Sequence, residues 1–146
     1  IKQNQWSKTD TSLISPDMGG IRRIKILSQV LNGMPYAIIE KNRNLKSGAI
    51  SIDDIQGATK KRAVIVDDMI STGTTIIRSA ELLSKKGVEE IFVFATHAVF
   101  SDNATQMLQG SVVQKVCVTN TIDVASEKYF PKIEVLSVAG MIAEEL

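Results

Sequence analysis

Two adjacent carboxylates and a short loop of small polar residues lie close together in the segment RAVIVDDMISTGTT, residues 62 to 75. The loop follows an apolar run and leads into an apolar-periodic segment, so it should precede a helix. Backbone amides at the N-terminus of a helix, helped by hydroxyl donors, commonly bind phosphate. A central glycine lets the backbone approach such a ligand closely. The loop therefore predicts a site for a phosphate monoester, formed by Ser71, Thr72, Gly73, Thr74 and Thr75.

The two carboxylates, Asp67 and Asp68, need a different ligand because they repel phosphate. Carboxylates only accept hydrogen bonds, so they suit vicinal sugar hydroxyls or a divalent metal held indirectly. The residues alone thus predict a sugar phosphate with a free diol, together with Mg²⁺. A simpler interpretation is that the acids and hydroxyls only cap a helix. The segment is not a P-loop, because no Gly-Lys-Ser/Thr follows the strand.

The element that must position the carboxylates is a strand over Arg62 to Asp67, whose continuous apolar run is typical of a strand covered on both faces. Periodicity and turn residues predict further strands at 11–15, 35–41, 49–52, 91–97, 115–119 and 133–138. Helices are predicted from 21 to a cap at Gly33, from the loop to a cap at Gly87, over 101–110, and from 139 onwards.

This alternation predicts an α/β fold, with a mostly parallel central sheet flanked by helices on both faces. In such sheets ligands bind beyond the carboxyl ends of the strands, where the two aspartates and the loop are expected. On the first helix, Ile21, Ile24, Leu27 and Leu31 form the apolar stripe, and Arg22, Arg23 and Lys25 are expected on a solvated basic face.

Composition narrows the class of protein. A chain of 146 residues, 44% hydrophobic, fits a single domain over 1–146 with a polar N-terminal extension at 1–11. A net charge of +1 gives no field for nonspecific binding to nucleic acid or a membrane surface, and no apolar run is long enough to cross a bilayer. We expect a cytoplasmic protein with a small-molecule partner. Cys117 is the only cysteine, and its strand context predicts a buried thiol.

Several stretches of the chain resemble a known family. VIVDDMISTGTT resembles the phosphoribosyl-diphosphate loop shared by type I phosphoribosyltransferases and ribose-phosphate pyrophosphokinases. ISPDMGGIRR, YAIIEKNR, ATHAVFSDNA, VTNTI and KIEVLSVAGMIAEEL occur in the order and spacing of the C-terminal half of the pyrophosphokinases. The resemblance covers roughly residues 12 to 146 and implies a type I phosphoribosyltransferase fold.

The resemblance also implies a reaction: transfer of the diphosphoryl group of MgATP to the C1 hydroxyl of ribose 5-phosphate, giving phosphoribosyl diphosphate. It assigns the ribose hydroxyls to Asp67 and Asp68, the 5-phosphate to the loop, and the ribose and metal region to Asp17. It assigns Lys41 and Arg43 to the transferring diphosphoryl group, where their charges would stabilise it. It further implies a homo-oligomer, and an isolated chain that binds ribose 5-phosphate weakly and forms no product unaided.

Other interpretations stay open. The chain differs from the family's usual residues at Asn42, Ser71 and Thr74, which keeps a catalytically silent regulatory subunit in consideration. A free-standing nucleobase phosphoribosyltransferase is another alternative. His97 has no metal-ligand spacing and is interpreted as structural, whereas Asn120 and Thr121 could line the rim of the site.

Overall fold

A computed structural model describes residues 5–40 and 54–145. In this part of the chain one seven-stranded sheet has the order β3-β2-β1-β4-β5-β6-β7. The strands are β1 (Thr11–Ser15), β2 (Tyr36–Glu40), β3 (Asp54–Gly57), β4 (Arg62–Ile70), β5 (Glu90–Ala98), β6 (Lys115–Thr119) and β7 (Ile133–Leu136). The helices are α1 (Ile21–Val30), α2 (Thr74–Lys85), α3 (Ala104–Gly110) and α4 (Ala139–Glu145), with short 3-10 turns at Met18–Gly20 and Ser126–Lys128.

All neighbouring strands pair in parallel except β2 and β3, which are antiparallel. The antiparallel strand lies at the edge of the sheet, a common position for it in otherwise parallel sheets. The predicted fold class, a mostly parallel sheet with helices on both faces, is confirmed.

The apolar side chains divide between the two faces of the sheet. The larger cluster joins β1, β2 and β4–β6 to α2 and α3, and it includes the fully buried Ile65, Leu83 and Leu108. The smaller cluster lies under α1 and is built around Leu13, Ile24 and Val64. Successive residues of β4, Val64 and Ile65, therefore belong to opposite cores, which is why the sequence of that strand is an unbroken apolar run.

The predicted elements match the observed ones closely, with two informative differences. β4 extends to Ile70, three residues beyond the predicted end, because β5 is equally long and pairs with it as far as Ala98. The strand predicted at 133–138 ends at Leu136. The strand predicted at 49–52 lies outside the described residues, and the strand observed at the edge beside β2 is β3.

The helix ends follow the predicted signals. α1 ends at Val30, and Gly33 has φ +77° while its amide donates to the Ser28 carbonyl at 2.8 Å. Gly87, after α2, has φ +90°. These glycines adopt the left-handed conformation that favours glycine after a helix. No helix in the described part of the chain has the length and apolar composition needed to span a bilayer.

Candidate functional site

The carboxyl end of β4 projects past its neighbour β1. β1 ends at Ser15, and its last residue paired with β4 is Ile14, opposite Ile65. Beyond that point β4 pairs with β5 alone in the described structure, and this projecting part contains Asp67 and Asp68. The two aspartates thus lie within β4 rather than at its end as the sequence suggested, yet they remain at the carboxyl edge of the sheet, where ligands are expected.

The predicted phosphate loop connects this projection to α2. Residues 69 to 76, together with Asp67, line a hollow of about 130 Å³. Because the first amides of a helix have no acceptor within the helix, those at the start of α2 are available to a ligand. Within the described structure the Thr74 amide has one long contact, 3.4 Å, to the Thr72 hydroxyl. The loop is therefore open at its amides, as an anion site requires.

Two hydroxyl contacts shape the loop. The Ser71 hydroxyl lies 2.8 Å from that of Ser101, and the Ser101 amide donates to the Ser71 carbonyl at 3.1 Å. These bonds tie the loop to the segment after β5. The Thr72 and Thr74 hydroxyls lie 3.1 Å apart. Hydroxyls that face each other in this way can reorient to donate to a bound oxyanion.

The backbone conformation at position 73 requires a glycine. It precedes α2 with φ +75°, in the left-handed region. A Cβ built on it would meet the Leu108 side chain at 3.5 Å, an ordinary contact distance. The sequence predicted a glycine that permits close approach of a ligand, whereas the structure shows that the sign of φ is the constraint.

Asp67 and Asp68 are held by backbone amides and by an arginine. Asp67 Oδ1 accepts from the Asp68 amide and Asp68 Oδ1 from the Met69 amide, each at 2.9 Å. Arg23 bridges the pair: its Nη1 lies 3.2 Å from Asp67 Oδ1 and its Nη2 lies 3.1 Å from Asp68 Oδ2. The two acids therefore form one fixed group of acceptors.

The surroundings of the two acids shift their pKa values in opposite directions. Burial raises the pKa of Asp67, and the hydrogen bond and negative charge of Asp68 add to the rise. Burial also acts to raise the pKa of Asp68, but the hydrogen bond with Asp67 and the charge of Arg23 bring it below the ordinary value. Neighbouring acids commonly separate in this way, and they titrate together as a coupled pair.

The sequence pattern placed Arg23 on a solvated basic face, and that interpretation is wrong. Arg22 and Lys25 are exposed, but the Arg23 side chain is 37% exposed and pairs with both aspartates. The helical position of Arg23 is next to the apolar stripe, and only the sheet order shows which groups lie in front of it. The sequence did contain a relevant feature, since Arg23 comes three residues after the SPDMGG segment at the end of β1.

Asp17 lies after β1, at the same carboxyl edge. Its Oδ1 accepts from the Gly19 amide at 2.9 Å and caps the 3-10 turn, while its carbonyl accepts from the Ser15 hydroxyl at 2.8 Å. Within residues 5–40 and 54–145, no three His, Cys, Asp or Glu side chains come together as a metal-binding group. Asp17 can offer a cation one carboxylate, and Mg²⁺ is often held by one or two carboxylates together with substrate phosphates and water.

Of the remaining predicted residues, two lie outside the described part of the chain and three lie within it. Lys41 and Arg43 lie outside the described residues. His97 Nδ1 is 2.8 Å from the Thr121 hydroxyl, which also donates to the Thr96 carbonyl at 3.1 Å. Asn120 accepts from the Val138 amide at 2.9 Å and so supports the start of α4.

A second, larger groove adjoins the aspartates. It has a volume of about 420 Å³ and runs between α1 and the ends of β4, β5 and β6. Arg23 and Asp67 lie on its wall, with apolar residues such as Leu27 and Phe94 and the hydroxyl-bearing Thr96 and Thr119. Asp67 therefore borders both hollows, and neither threonine was singled out from the sequence.

Comparison with known proteins identifies the family. The model of the phosphoribosyl synthetase-associated domain matches residues 7–146. Ribose-phosphate pyrophosphokinase 1, chloroplastic, of Arabidopsis thaliana is 40% identical over 94% of this chain and 34% of its own length. The phosphoribosylpyrophosphate synthetase structure from Mycobacterium smegmatis has a TM-score of 0.85 and 33% identity over 99% of this chain and 46% of that chain.

A more distant structure shares the fold. Orotate phosphoribosyltransferase from Aeropyrum pernix has a TM-score of 0.54 at 19% identity, over 94% of this chain and 66% of that chain. The chain spans less than half the length of the Arabidopsis and Mycobacterium relatives. With a family model matched over nearly its whole length, the chain belongs to the phosphoribosyl synthetase-associated, or ribose-phosphate pyrophosphokinase, family.

Proposed function

We propose that this chain binds ribose 5-phosphate at the carboxyl edge of β4 and supplies that half of a ribose-phosphate pyrophosphokinase site. The reaction transfers the diphosphoryl group of MgATP to the C1 hydroxyl of the sugar and releases phosphoribosyl diphosphate and AMP. The observation that carries the proposal is the position of Asp67, which borders both the amide-lined hollow of the loop and the larger groove. One sugar phosphate can then contact the loop and the acids together.

In this proposal the loop residues Ser71 to Thr75 bind the 5-phosphate through the amides at the start of α2. Asp67 and Asp68 accept hydrogen bonds from the 2- and 3-hydroxyls, which fixes the orientation of the ring. A sugar held at both ends presents its C1 hydroxyl in one direction, and such positioning is the main protein contribution to phosphoryl transfer.

Two further assignments belong to the proposal. Lys41 and Arg43 would neutralise the oxygens of the transferring group. Mg²⁺, held with the help of Asp17 and of substrate oxygens, would stabilise the charge that develops on the diphosphoryl group. ATP and phosphoribosyl diphosphate are the other expected ligands.

Isothermal titration of the 146-residue chain with ribose 5-phosphate tests the proposal. Asp67→Asn keeps the size of the side chain but removes its charge, and hydrogen bonds to charged groups are worth about 1.5 to 3 kcal/mol. We therefore expect Asp67→Asn to weaken ribose 5-phosphate binding about 10- to 100-fold, with little change in the weak binding of inorganic phosphate.

Glu81→Gln is the matched control, because Glu81 is an exposed acid on α2 beyond the loop. It should bind ribose 5-phosphate as the unmodified chain does. A chain that binds no sugar phosphate would rule out the proposal and favour a silent regulatory subunit. An Asp67→Asn variant with undiminished affinity would rule out the assigned role of the acid.

A further inference from the structure

Arg23 makes contacts that the proposed ribose site does not by itself require. Its guanidinium reaches from the first turn of α1 to both aspartates of β4, 44 residues later in the sequence. Its Nη1 donates to Asp67 at 3.2 Å, and its Nη2 forms an ion pair with Asp68 at 3.1 Å. A forked cation of this kind fixes both position and orientation, which a single point charge does not.

The other contacts of the two acids show which oxygens a ligand can use. Asp67 Oδ1 already accepts from Arg23 and from the Asp68 amide. Both oxygens of Asp68 are engaged, one by Arg23 and the other by the Met69 amide. Within the described structure, Asp67 Oδ2 is the oxygen for which no partner is found. Arg23 and the two amides therefore determine which acceptor lone pairs are presented to a ligand.

The start of α1 leaves the space that Arg23 needs. A Cβ built on Gly20 would lie 2.2 Å from the Ser15 hydroxyl oxygen and 3.4 Å from Arg23 Nη1. The next turn is anchored by Ile24, which is 1% exposed in the core beneath α1. Gly20 thus permits the helix start to lie against the end of β1, and Ile24 anchors α1 in the core, so that the Arg23 side chain reaches across the end of β1 to β4.

We propose that Arg23 is a positioning residue that stays bound to Asp67 and Asp68 and presents their remaining lone pairs to the sugar diol. This inference rests on the proposed binding of ribose 5-phosphate. It makes Arg23 a determinant of selectivity for a 2,3-diol over a sugar that lacks one of the two hydroxyls. It also halves the net negative charge of the acid pair, which reduces its repulsion of a nearby phosphate.

The competing possibility is that the diol displaces Arg23. Displacement would exchange one charge-assisted hydrogen bond, to Asp67, and one ion pair, to Asp68, for bonds from neutral hydroxyls, which are roughly half as strong as charge-assisted ones. It would also leave Asp67, whose side chain is 20% exposed, without its counter-charge, and an unpaired charge is costly away from solvent. Both effects favour a ligand that binds alongside the arginine, at Asp67 Oδ2 and at the unused lone pairs of the other oxygens.

The test measures selectivity by isothermal titration of the full chain with ribose 5-phosphate and 2-deoxyribose 5-phosphate. Both ligands carry the same phosphate, so the ratio of their affinities cancels the general effect of removing a positive charge. Arg23→Met should lower the affinity for ribose 5-phosphate about tenfold, as expected when an oriented charged acceptor is lost. It should lower the affinity for the deoxy sugar much less, so the ratio falls toward one.

Arg23→Lys should restore part of the selectivity, since an ammonium group can pair with the carboxylates but cannot fork across both in the same geometry. Arg22→Met is the matched control, because Arg22 is the neighbouring exposed arginine on α1, and it should leave the ratio unchanged. Circular dichroism checks that each variant is folded. If Arg23→Met does not fold, the selectivity ratio of Arg23→Lys decides the test.

Three results would overturn the inference. An unchanged selectivity ratio in Arg23→Met, or a wild-type ratio in Arg23→Lys if Arg23→Met is unfolded, would show that Arg23 does not orient the acids for the diol. Tighter binding of ribose 5-phosphate by Arg23→Met would show that the arginine competes with the sugar. A wild-type chain that binds neither sugar phosphate would remove the proposed function as well. The first two results leave that function intact.

Discussion

At the scale of single residues, Asp67 and Asp68 show how neighbouring side chains of the same type acquire different properties. The Asp67 side chain is 20% exposed and that of Asp68 is 55% exposed. The more buried acid carries the raised pKa and the more exposed one the lowered pKa. One acid thus remains ionised to lower pH than the other, although a single arginine pairs with both.

Cys117 provides a prediction at the same scale. It is 5% exposed in β6, and burial raises its pKa to about 11, with the negative charge of Glu134 acting in the same direction. The ordinary value for the thiol is 9.0, so the thiolate fraction near pH 8 is about 100-fold smaller in the folded chain. We expect alkylation by iodoacetamide at pH 8 to be at least that much slower in the folded chain than in denaturant.

The same shift makes stability depend on pH. Since the folded pKa is above the unfolded one, the neutral thiol favours the folded state below pH 9, and this contribution is lost as pH rises from 9 to about 11. Urea denaturation of the native chain and of Cys117→Ala at pH 8 and pH 10 isolates the effect, because the variant lacks this titration. Equal alkylation rates in the folded and unfolded chains would contradict the raised pKa of Cys117.

At the scale of elements, the site depends on unequal strand lengths. β4 and β5 have nine residues each, whereas β1 and β6 have five. The longer pair projects beyond both neighbours, and α1 begins beside the projection on one side. The acids, the arginine and the loop at residues 71–75 meet there because the strand ends are staggered.

The transition from β4 to α2 yields a prediction at this scale. Gly73→Ala should destabilise the chain by about 1 to 2 kcal/mol, the cost of a left-handed conformation for a residue with a Cβ, since Gly73 has φ +75°. If the loop relaxes to a negative φ instead, its amides reorient and ribose 5-phosphate affinity falls. Urea denaturation and isothermal titration measure the two effects.

Gly110→Ala is the control for that substitution. Gly110 is in α3, lacks a positive φ, and a Cβ built on it meets nothing within 4 Å. Alanine is the better helix former, so this variant should be as stable as the unmodified chain or slightly more stable. Equal stability of Gly73→Ala and Gly110→Ala would show that the φ of Gly73 does not constrain the loop.

At the scale of the whole molecule, the two faces of the sheet are covered unequally. α2 and α3 pack against one face, while α1 lies over β2, β1 and β4 on the other, beside the larger groove. Ile26 and Val30 of α1 are 52% and 60% exposed, and Met141 and Ile142 of α4 are 66% and 54% exposed. The ligand edge is thus bordered on the α1 side by a partly open apolar surface.

A prediction at this scale concerns the activity of the chain as a whole. Stabilising a transferring diphosphoryl group requires several cations around it, and Arg23, the cation described at this edge, is already engaged by two carboxylates. Lys41 and Arg43 are proposed for the transferring group, but the proposed site assigns no contacts to the nucleotide, and phosphoryl transfer also requires a positioned MgATP. We therefore expect the 146-residue chain, supplied with MgATP and ribose 5-phosphate, to form no phosphoribosyl diphosphate detectable by phosphorus NMR. The Mycobacterium smegmatis synthetase is the positive control, and catalytic turnover by the chain alone would contradict the prediction.

Local features of the molecule could be predicted from the amino-acid sequence: most strands, the helix ends, the fold class and the loop with its glycine. Three of these features depend on residues only a few positions apart: the apolar run of β4, the stripe of α1 and the glycines after helices. Local sequence pattern therefore determines them. The positions of the two acids and of the loop at residues 71–75 were predictable for the same reason, because these residues are contiguous along the chain. Family membership was predictable from the order of several such motifs.

The contacts made across the sheet required the folded structure. Arg23 joins Asp67 over 44 residues, and Ser71 joins Ser101 over 30. Both contacts follow from the strand order and the relative lengths of the strands, and neither quantity is encoded in a short segment. Helical periodicity placed Arg23 outside the apolar stripe. Its partners, however, lie on β4, which is distant in the sequence and comes close to Arg23 only in the folded chain. The partners of this arginine were therefore not predictable from local sequence pattern.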